Sequence, residues 1–180
     1  MRAVLDACVL YPTVLREILI GAAEAGLYTP LWSERILEEW ARATAKLGTA
    51  EQAFARGEIA VLKAAFPEAA IARHQGLEAR LHLPDENDIH VLATAISGSA
   101  DAIITLNARD FPRGVLAGEG LARRDPDGFL WELWSHHPDT LGAVAEAARL
   151  RAERGLGTAQ PLRALLKRAR LPRLGKALAP

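Results

Sequence analysis

Short apolar runs alternate with amphipathic stretches through the N-terminal part of the chain, and this alternation limits the fold more than any other feature. The runs at 2–5, 27–31 and 101–106 have the length and composition of buried strands. The stretches 12–24 and 33–46 repeat apolar residues at helical spacing. Strands that alternate with helices in this way predict βαβ units and a central parallel sheet.

Other parts of the chain complete the predicted order of elements. Residues 49–72 predict two helices broken near Gly57 and Pro67, and 74–83 is ambiguous between a strand and irregular structure. Asp85 is placed to cap a helix that Gly98 ends. A last strand is predicted near 114–123, and beyond Pro126 the pattern is helical, at 127–135, 138–152 and 158–169.

Composition restricts the class of protein and its compartment. Cys8 is the only cysteine among 180 residues, which excludes an internal disulfide and a multi-cysteine zinc site. An acidic residue at position 6 comes too early for a secretory leader, and no apolar run has the roughly 18 residues of a membrane span. We therefore expect a globular protein of the cytoplasm, with no membrane partner.

Charge divides the chain near its C-terminal end. Residues 149–180 hold nine basic residues and one acidic residue, so a net charge of −8 precedes them and a net charge of +8 follows. Within this tail Arg163, Lys167 and Arg170 have the spacing of one helical face, and leucines occupy another. The basic face predicts a surface that binds the phosphates of a nucleic acid, although a solvated terminal helix that docks its leucines on the body has the same pattern.

Acidic residues follow the predicted strands directly. Asp6 ends the first strand, and Asn107 and Asp110 follow the strand at 101–106. Ligand sites of parallel α/β sheets lie at the carboxyl ends of the strands, so these side chains are candidates for one site. A single Asp in such a position is often only a cap or a turn residue.

Two further carboxylates lie on predicted helices. With Asp85 as the cap, Asp88 is free to point towards the sheet, where a buried carboxylate requires a partner or a metal. Glu39 lies beside the apolar stripe of 33–46, although its spacing alone fits an ordinary surface glutamate. His90 is more consistent with a structural or surface histidine than with a ligand. Oxygen donors without a cysteine set or a usable histidine pair favour Mg²⁺ or Mn²⁺ over zinc.

Four short blocks, in this order, resemble the PIN-domain nucleases. They are Leu5-Asp6-Ala7-Cys8-Val9-Leu10, Ser33 through Glu39-Trp40, Asp88 with Leu92-Ala93-Thr94-Ala95, and Thr105-x-Asn107-x-x-Asp110-Phe111. The resemblance covers roughly residues 2–124. It implies a three-layer α/β/α fold, so we expect a PIN-like domain at 1–125 and a basic C-terminal helical extension at 126–180.

The resemblance also implies a function and a set of site residues. The activity would be a metal-dependent endoribonuclease, and the commonest prokaryotic members are VapC-type toxins of type II toxin–antitoxin pairs, which act on tRNA or rRNA and bind a cognate antitoxin. The residues that match the acidic positions of the family are Asp6, Glu39, Asp88 and Asp110, and Asn107 and Thr105 match its flanking polar positions. Cys8 departs from the family, many of whose members have Asn there.

These residues are expected to have different roles in the site. Asp6, Asp88 and Asp110 would hold Mg²⁺ or Mn²⁺, while Glu39 would orient or deprotonate a water or help to hold a second ion. Asp85 and Asp101 are nearby alternatives for the third acid. Helices 12–24 and 33–46 are suited to a homodimer face or to the core. The alternative functions are a PIN-like module that binds RNA or a protein without catalysis, and a different acidic-site phosphohydrolase.

Overall fold

A computed structural model of the protein describes residues 1–179; Pro180, the last residue of the predicted extension, lies outside the described residues. Four strands form a single parallel sheet in the described part of the chain. The strands are β1 (Arg2–Leu5), β2 (Thr29–Leu31), β3 (Ala102–Ile104) and β4 (Ala122–Arg124).

The order of the strands across the sheet is β2-β1-β3-β4. Val4 pairs with Leu31 on one side and with Ile103 on the other, and all three side chains are buried. Because the chain moves outward from β1 to β2 and then returns to the other side of β1 for β3, the order reverses between β1 and β3. Parallel sheets bind ligands outside the carboxyl ends of the strands at such a point.

Helices fill the connections between the strands and form the C-terminal part. They are α1 (Ala7–Leu10), α2 (Thr13–Glu24), α3 (Glu34–Ala45), α4 (Thr49–Ala65), α5 (Gln75–Glu78), α6 (Ile89–Ser97), α7 (Arg113–Gly118), α8 (Pro126–His136), α9 (Pro138–Leu156), α10 (Leu162–Arg168) and α11 (Pro172–Leu178). A 3₁₀ turn, Glu86–Asp88, leads directly into α6. The α/β class with a central parallel sheet is confirmed, and the arrangement is consistent with a three-layer α/β/α fold followed by C-terminal helices. None of the helices formed by residues 1–179 is long and apolar enough to cross a membrane.

The chain divides into two compact units. The first contains Met1–Tyr11 and Thr29–Arg124, and therefore the whole sheet. The second contains Pro12–Tyr28 together with the chain from Asp125 onward, so α2 belongs with the C-terminal helices although it precedes most of the sheet in sequence. The change of unit after Arg124 lies next to the boundary that the sequence predicts at 125.

Helix α2 packs closely on α9 within the second unit. A Cβ atom added at Gly21 would lie 2.7 Å from Cγ1 of Val144, so only glycine allows the present separation of the two helices. The Tyr28 ring contacts the edge of Phe129 at a centroid distance of 5.0 Å, and its hydroxyl donates to the Leu19 carbonyl. Glu17 forms an ion pair of 3.2 Å with Arg151. These contacts explain why the predicted helix 12–24 is part of a helical unit.

Ser33 caps α3, as its position in the sequence predicts. Its hydroxyl accepts a hydrogen bond of 3.3 Å from the Ile36 backbone N–H, one of the donors that a helix start leaves without a helical partner. Ile36 and Trp40 are fully or almost fully buried, and so are Leu15, Ile18 and Leu19 of α2. The apolar stripes of both helices are thus used within the chain.

The predicted break near Gly57 is wrong, because α4 runs without interruption from Thr49 to Ala65. Glycine inside a helix costs about 1 kcal/mol relative to alanine, which packing readily offsets. Ala55 and Leu62 are buried on the face of α4 that packs against α3. Tertiary contacts therefore outweigh the local preference at this position.

Three further predictions needed correction near the C-terminal half. The strand expected at 114–123 is a short helix, α7, followed by the three-residue strand β4. Helix α10 ends at Arg168, and Arg170 beyond it has a positive φ of 62°, so Arg170 does not continue the helical face of Arg163 and Lys167. Helix α11, which the sequence interpretation did not include, follows directly.

Candidate active site

Asp6 and Thr105 lie side by side at the point where the strand order reverses. Asp6 directly follows β1 and Thr105 directly follows β3, and the Asp6 backbone N–H donates to the Ile104 carbonyl at 3.2 Å. Both side chains are buried, with 6% and 3% of their surface exposed. The two residues form the floor of the carboxyl edge of the sheet.

The Asp6 carboxylate accepts two side-chain hydrogen bonds. Its Oδ2 receives one from Thr105 Oγ1 at 2.7 Å and one from Cys8 Sγ at 3.0 Å. Burial and the Asp6 charge raise the pKa of the Cys8 thiol to about 12, so the thiol remains a protonated donor at neutral pH. The cysteine that departs from the PIN pattern therefore still supports Asp6, and its sulfur also accepts from the Leu106 N–H at 3.2 Å.

Three further carboxylates converge at this edge. Asp85, Asp88 and Asp110 are half-buried, and one potential ligand oxygen of each lies within 4.8 Å of the others. Asp85 begins the 3₁₀ turn and accepts from the Asn87 backbone N–H at 2.9 Å. Asp88 is the last residue of that turn and precedes α6, where its side chain caps no N–H group. Two residues from one turn and one from the loop after β3 thus form a cluster that spans 25 positions of sequence.

The charges of this cluster act most strongly on Asp88. Partial burial, followed by the negative charges of Asp6, Asp110 and Asp85, raises the pKa of Asp88 to about 6, against a smaller lowering effect of His90. A carboxylate surrounded by like charges in a half-buried position is destabilised unless it is protonated or neutralised by a cation. The influence of Asp6 on Asp88 also connects the floor of the site with the cluster above it.

Asn107 positions Asp110. The Asn107 side-chain amide donates to an Asp110 carboxylate oxygen, and the Asn107 backbone N–H donates to Thr105 Oγ1 at 2.9 Å. The loop after β3 is consequently tied to Thr105 at its start and directs Asp110 towards the acidic cluster. Asn107 and Asp110, which the sequence predicts in the same site, are therefore joined directly by a hydrogen bond.

Glu39 lies between Arg35 and His90 and outside the cluster of Asp85, Asp88 and Asp110. Arg35 Nε donates to its Oε1 at 3.1 Å, and Nε2 of the buried His90 lies 3.0 Å from the same oxygen. The contact between His90 and Glu39 has the distance of an ion pair and becomes one when the imidazole is protonated. Although partial burial acts to raise it, these two neighbours lower the pKa of Glu39, which keeps this carboxylate charged.

His90, which sequence analysis interpreted as a structural or surface histidine, is buried beside the site. It is 4% exposed, and its Nδ1 has no hydrogen-bond partner within residues 1–179. The available signal was its position on α6 two residues after Asp88, but α6 buries residues on nearly all sides, so a histidine there fits an ordinary core position equally well. Asp101, an alternative third acid, lies at the start of β3, opposite to the carboxyl edge, and accepts from the Arg2 N–H at 2.7 Å.

The predicted RNA-binding residues lie in the second unit. Arg163, Lys167 and Arg170 are all exposed, and a guanidinium nitrogen of Arg163 donates to the Ala179 carbonyl at 3.4 Å. The leucine face of the same helix is buried through Leu165 and Leu166. Helix α10 therefore buries its apolar face and leaves Arg163 and Lys167 in solvent. This arrangement is common to the RNA-binding interpretation of the tail and to the interpretation as a solvated terminal helix.

The chain belongs to the PIN domain family, whose model matches residues 2–109. Members of the family are generally metal-dependent nucleases, so a nucleic acid is the implied substrate class. No curated protein and no solved structure gives a significant match to the chain. The matched segment contains Asp6, Glu39, Asp88 and Asn107 and ends one residue before Asp110.

The acidic cluster suits a divalent metal ion by its chemistry. Carboxylate oxygens are the donors that Mg²⁺ and Mn²⁺ prefer, and Asp85, Asp88 and Asp110 supply them close together. Burial and the charges of Asp6, Asp110 and Asp85 raise the pKa of Asp88, and a bound cation would favour its ionised form. The same side chains that repel each other would be neutralised by a bound cation.

Proposed function

We propose that this protein is an endoribonuclease that cleaves phosphodiester bonds of RNA with the aid of Mg²⁺ or Mn²⁺. The observation that carries the proposal is the convergence of Asp85, Asp88 and Asp110 within 4.8 Å in a chain of the PIN domain family. Asp6 lies close enough for its charge to act on Asp88. The site lies at the edge of the sheet where parallel α/β proteins bind ligands.

Asp6, Asp88 and Asp110 are the residues that we expect to hold the metal, with Asp85 as a further donor. The support for Asp88 and Asp110 is their place in the cluster, and that for Asp6 is its charge interaction with Asp88. A bound divalent ion would stabilise the negative charge that develops on the phosphate oxygens during hydrolysis. Thr105 and Cys8 would keep the Asp6 carboxylate in one orientation through their hydrogen bonds.

Glu39 would orient the attacking water rather than remove its proton. A general base works best when its pKa lies near the working pH, whereas Arg35 and His90 lower the pKa of Glu39. A carboxylate held by these two neighbours is a fixed hydrogen-bond acceptor. Its charge is also available to a second cation.

The basic C-terminal extension, 126–180, would bring RNA to the nuclease domain at 1–125. Its exposed cations Arg163, Lys167 and Arg170 gain free energy by releasing counterions from phosphates. The acidic site has the opposite charge and would repel an RNA strand in the absence of metal. A surface of positive charge elsewhere on the chain offsets this repulsion.

The biological role that we propose is that of a toxin in a type II toxin–antitoxin pair, acting in the cytoplasm on tRNA or rRNA. The support is the resemblance of the four sequence blocks to the PIN-domain nucleases, whose commonest prokaryotic members are VapC-type toxins. A cognate antitoxin would then be encoded beside the gene. A homodimer is a separate proposal, which sequence analysis based on the apolar faces of helices 12–24 and 33–46.

The decisive test of catalysis is cleavage of a fluorescent single-stranded RNA with Mg²⁺, with Mn²⁺ and with EDTA. We expect cleavage with either metal, none with EDTA, and none by Asp6→Asn or Asp88→Asn. The matched control is Asp139→Asn, an exposed carboxylate at the start of α9, which should retain full activity. Cleavage in EDTA, or full activity of both site variants, would contradict the proposal.

The same samples separate the alternative functions. Metal and RNA binding by calorimetry without any cleavage would favour a non-catalytic module. Hydrolysis of a generic phosphomonoester in preference to RNA would favour another phosphohydrolase. The toxin role is tested by induced expression in a bacterial host: the wild type should arrest growth, Asp88→Asn should not, and co-expression of the neighbouring reading frame should restore growth.

A further inference from the structure

A cavity of about 330 Å³ adjoins His90 in the first unit. It lies between the start of α3, the segment 71–74 and the first turns of α6. His90 thus both lines the cavity and contacts Glu39 at 3.0 Å. Ligand pockets in proteins commonly have volumes from about 300 Å³ upward, so the space is sufficient for a ligand group of moderate size.

Apolar atoms form most of the cavity surface, although most of the lining residues are polar or charged. Ile71, Ala72 and Ala93 contribute the apolar surface. His90 presents a buried imidazole whose Nδ1 has no hydrogen-bond partner among the described residues. This nitrogen is enclosed by protein atoms, so the polar groups that a ligand in the cavity can reach belong to other lining side chains, such as His74.

The guanidinium of Arg73 is held in a fixed plane at the rim. Its Nε and a terminal nitrogen donate to both carboxylate oxygens of Glu78, at 2.7 to 3.1 Å. The paired charges Arg73–Glu78 and Glu34–Lys63 leave little net charge for a phosphate to recognise. An uncharged planar group that can stack and form hydrogen bonds fits these features better than an anion does.

We propose that this cavity binds one unstacked base of the RNA strand, next to the cleavage site. The inference rests on the proposed nuclease function. Proteins that recognise single-stranded RNA splay bases out, stack them on histidine or on arginine planes, and hydrogen-bond their edges. Here the guanidinium of Arg73 provides a stacking plane, and the exposed imidazole of His74 lies in the same lining, where it can stack or form a hydrogen bond with the base edge. His90 lines the cavity and also contacts Glu39, so the bound base would lie beside the candidate site.

The test is an abasic scan of a short RNA. A single-stranded RNA of roughly eight nucleotides carries an abasic site at each position in turn, and its affinity is measured by fluorescence anisotropy in EDTA, so that cleavage does not contribute. The wild type should lose about ten-fold in affinity, or about 1.4 kcal/mol, at one position of the strand. Ala72→Trp fills the cavity from an exposed position and should bind every abasic RNA alike.

Two further variants keep the test decisive. Ala79→Trp adds the same side chain at an exposed alanine outside the cavity lining and should behave as the wild type. Arg73→Met removes the guanidinium plane and should reduce the loss at the sensitive position, which tests the proposal if Ala72→Trp does not fold. Circular dichroism confirms the fold of each variant.

The outcomes distinguish this inference from the proposed function. A flat abasic scan of the wild type, or the same scan for the wild type and the folded Ala72→Trp, overturns the base-binding cavity even if RNA is cleaved. A position-dependent scan that Ala72→Trp abolishes, in a protein that cleaves no RNA, supports the cavity and overturns the nuclease proposal. If Ala72→Trp and Ala79→Trp changed the abasic scan equally, the base-binding cavity would also be overturned, because the effect would not come from filling the cavity.

Discussion

Thr105 Oγ1 donates a hydrogen bond of 2.7 Å to Asp6 Oδ2, although 99 positions separate the two residues. The same hydroxyl oxygen accepts from the Asn107 backbone N–H at 2.9 Å. Thr105 therefore orients the buried carboxylate at the end of β1 and also begins the loop that carries Asp110. One side chain connects the floor of the acidic site with one of the carboxylates above it.

Replacing Thr105 with Val should weaken the site without unfolding it. The variant keeps the shape of the side chain and removes the hydrogen bonds of the hydroxyl, including those with Asp6 and Asn107, so metal affinity should fall about 10-fold or more. Stability should fall by about 1–2 kcal/mol, because Asp6 loses a buried partner. Calorimetric titration with Mn²⁺ measures the metal affinity, and unfolding in urea measures the stability. The control is Thr105→Ser, which keeps the hydroxyl and should behave as the wild type. Equal losses in both variants would contradict this role of the hydroxyl.

The pKa of Asp88 predicts how the metal-free protein responds to pH. Because this pKa is raised to about 6, the folded state binds a proton more tightly than the unfolded state, and ionisation of Asp88 destabilises the fold. In EDTA, stability should decrease as pH rises from about 4 to about 6, whereas Mg²⁺ affinity should increase over that interval and then level off. Asp88→Asn should remove this component of both profiles, and profiles unchanged in the variant would show that another group titrates.

Glu39 and Glu38 offer a matched pair for testing which glutamate acts. Glu39 contacts His90 and Arg35, whereas Glu38 accepts hydrogen bonds from Arg42 and Arg56 at the surface. Glu39→Gln should lower kcat for RNA cleavage about 100-fold, since a neutral amide orients water less well. Glu38→Gln should leave kcat within about two-fold of the wild type. Similar losses in both variants would indicate a general effect of charge on α3.

The exposed cations after residue 160 should determine the salt dependence of RNA binding. Deleting this region would expose buried leucines, so substitution of the exposed cations is a better test than truncation. Arg163→Gln, Lys167→Gln and Arg170→Gln together should reduce the slope of log affinity against log salt by about 2, since each phosphate contact contributes about 0.7. Lys46→Gln, an exposed cation of the first unit, should leave the slope unchanged. An unchanged slope in the triple variant would remove this region from the RNA interface.

The Cys8 thiol should react slowly with alkylating reagents. Its pKa of about 12 leaves almost no thiolate at neutral pH, and thiolate is the reactive form. Iodoacetamide labelling of the folded protein at pH 7.5, followed by mass spectrometry, should be at least about 100-fold slower than labelling in urea. Rapid labelling of the folded protein would show that the thiol does not keep its proton and its hydrogen bond to Asp6.

Local sequence was sufficient for the elements that depend on local physics. Ser33 was predicted as a cap and accepts the Ile36 N–H, and Asp85 was predicted as a cap and accepts the Asn87 N–H. It was insufficient where packing outweighs propensity, as in α4, which continues through Gly57. The predicted helical face of the tail also fails after Arg168, since the backbone turns to a positive φ at Arg170.

The candidate site shows the same difference between what local sequence predicts and what tertiary contacts determine. Asp6, Asp88, Asn107 and Asp110 were predicted from their places after strands and at a helix start, together with a family resemblance. That Asp85 combines a capping role with a place in the acidic cluster, and that Asp101 faces the other edge of the sheet, depends on how the 3₁₀ turn and β3 are oriented. The contact of His90 with Glu39 joins two helices and leaves no trace in local spacing.

By itself, the sequence determined the alternation of strands and helices and the acidic residues that end or begin them, because hydrophobic periodicity and capping act over a few residues. Its short motifs also indicated the PIN family. Only the tertiary structure decided the strand order β2-β1-β3-β4, the grouping of α2 with the C-terminal helices, and the set of carboxylates that meet at one place. These depend on contacts between residues up to about a hundred positions apart, such as Asp6 with Thr105. Such contacts result from the burial of whole faces, and no short stretch of sequence contains them.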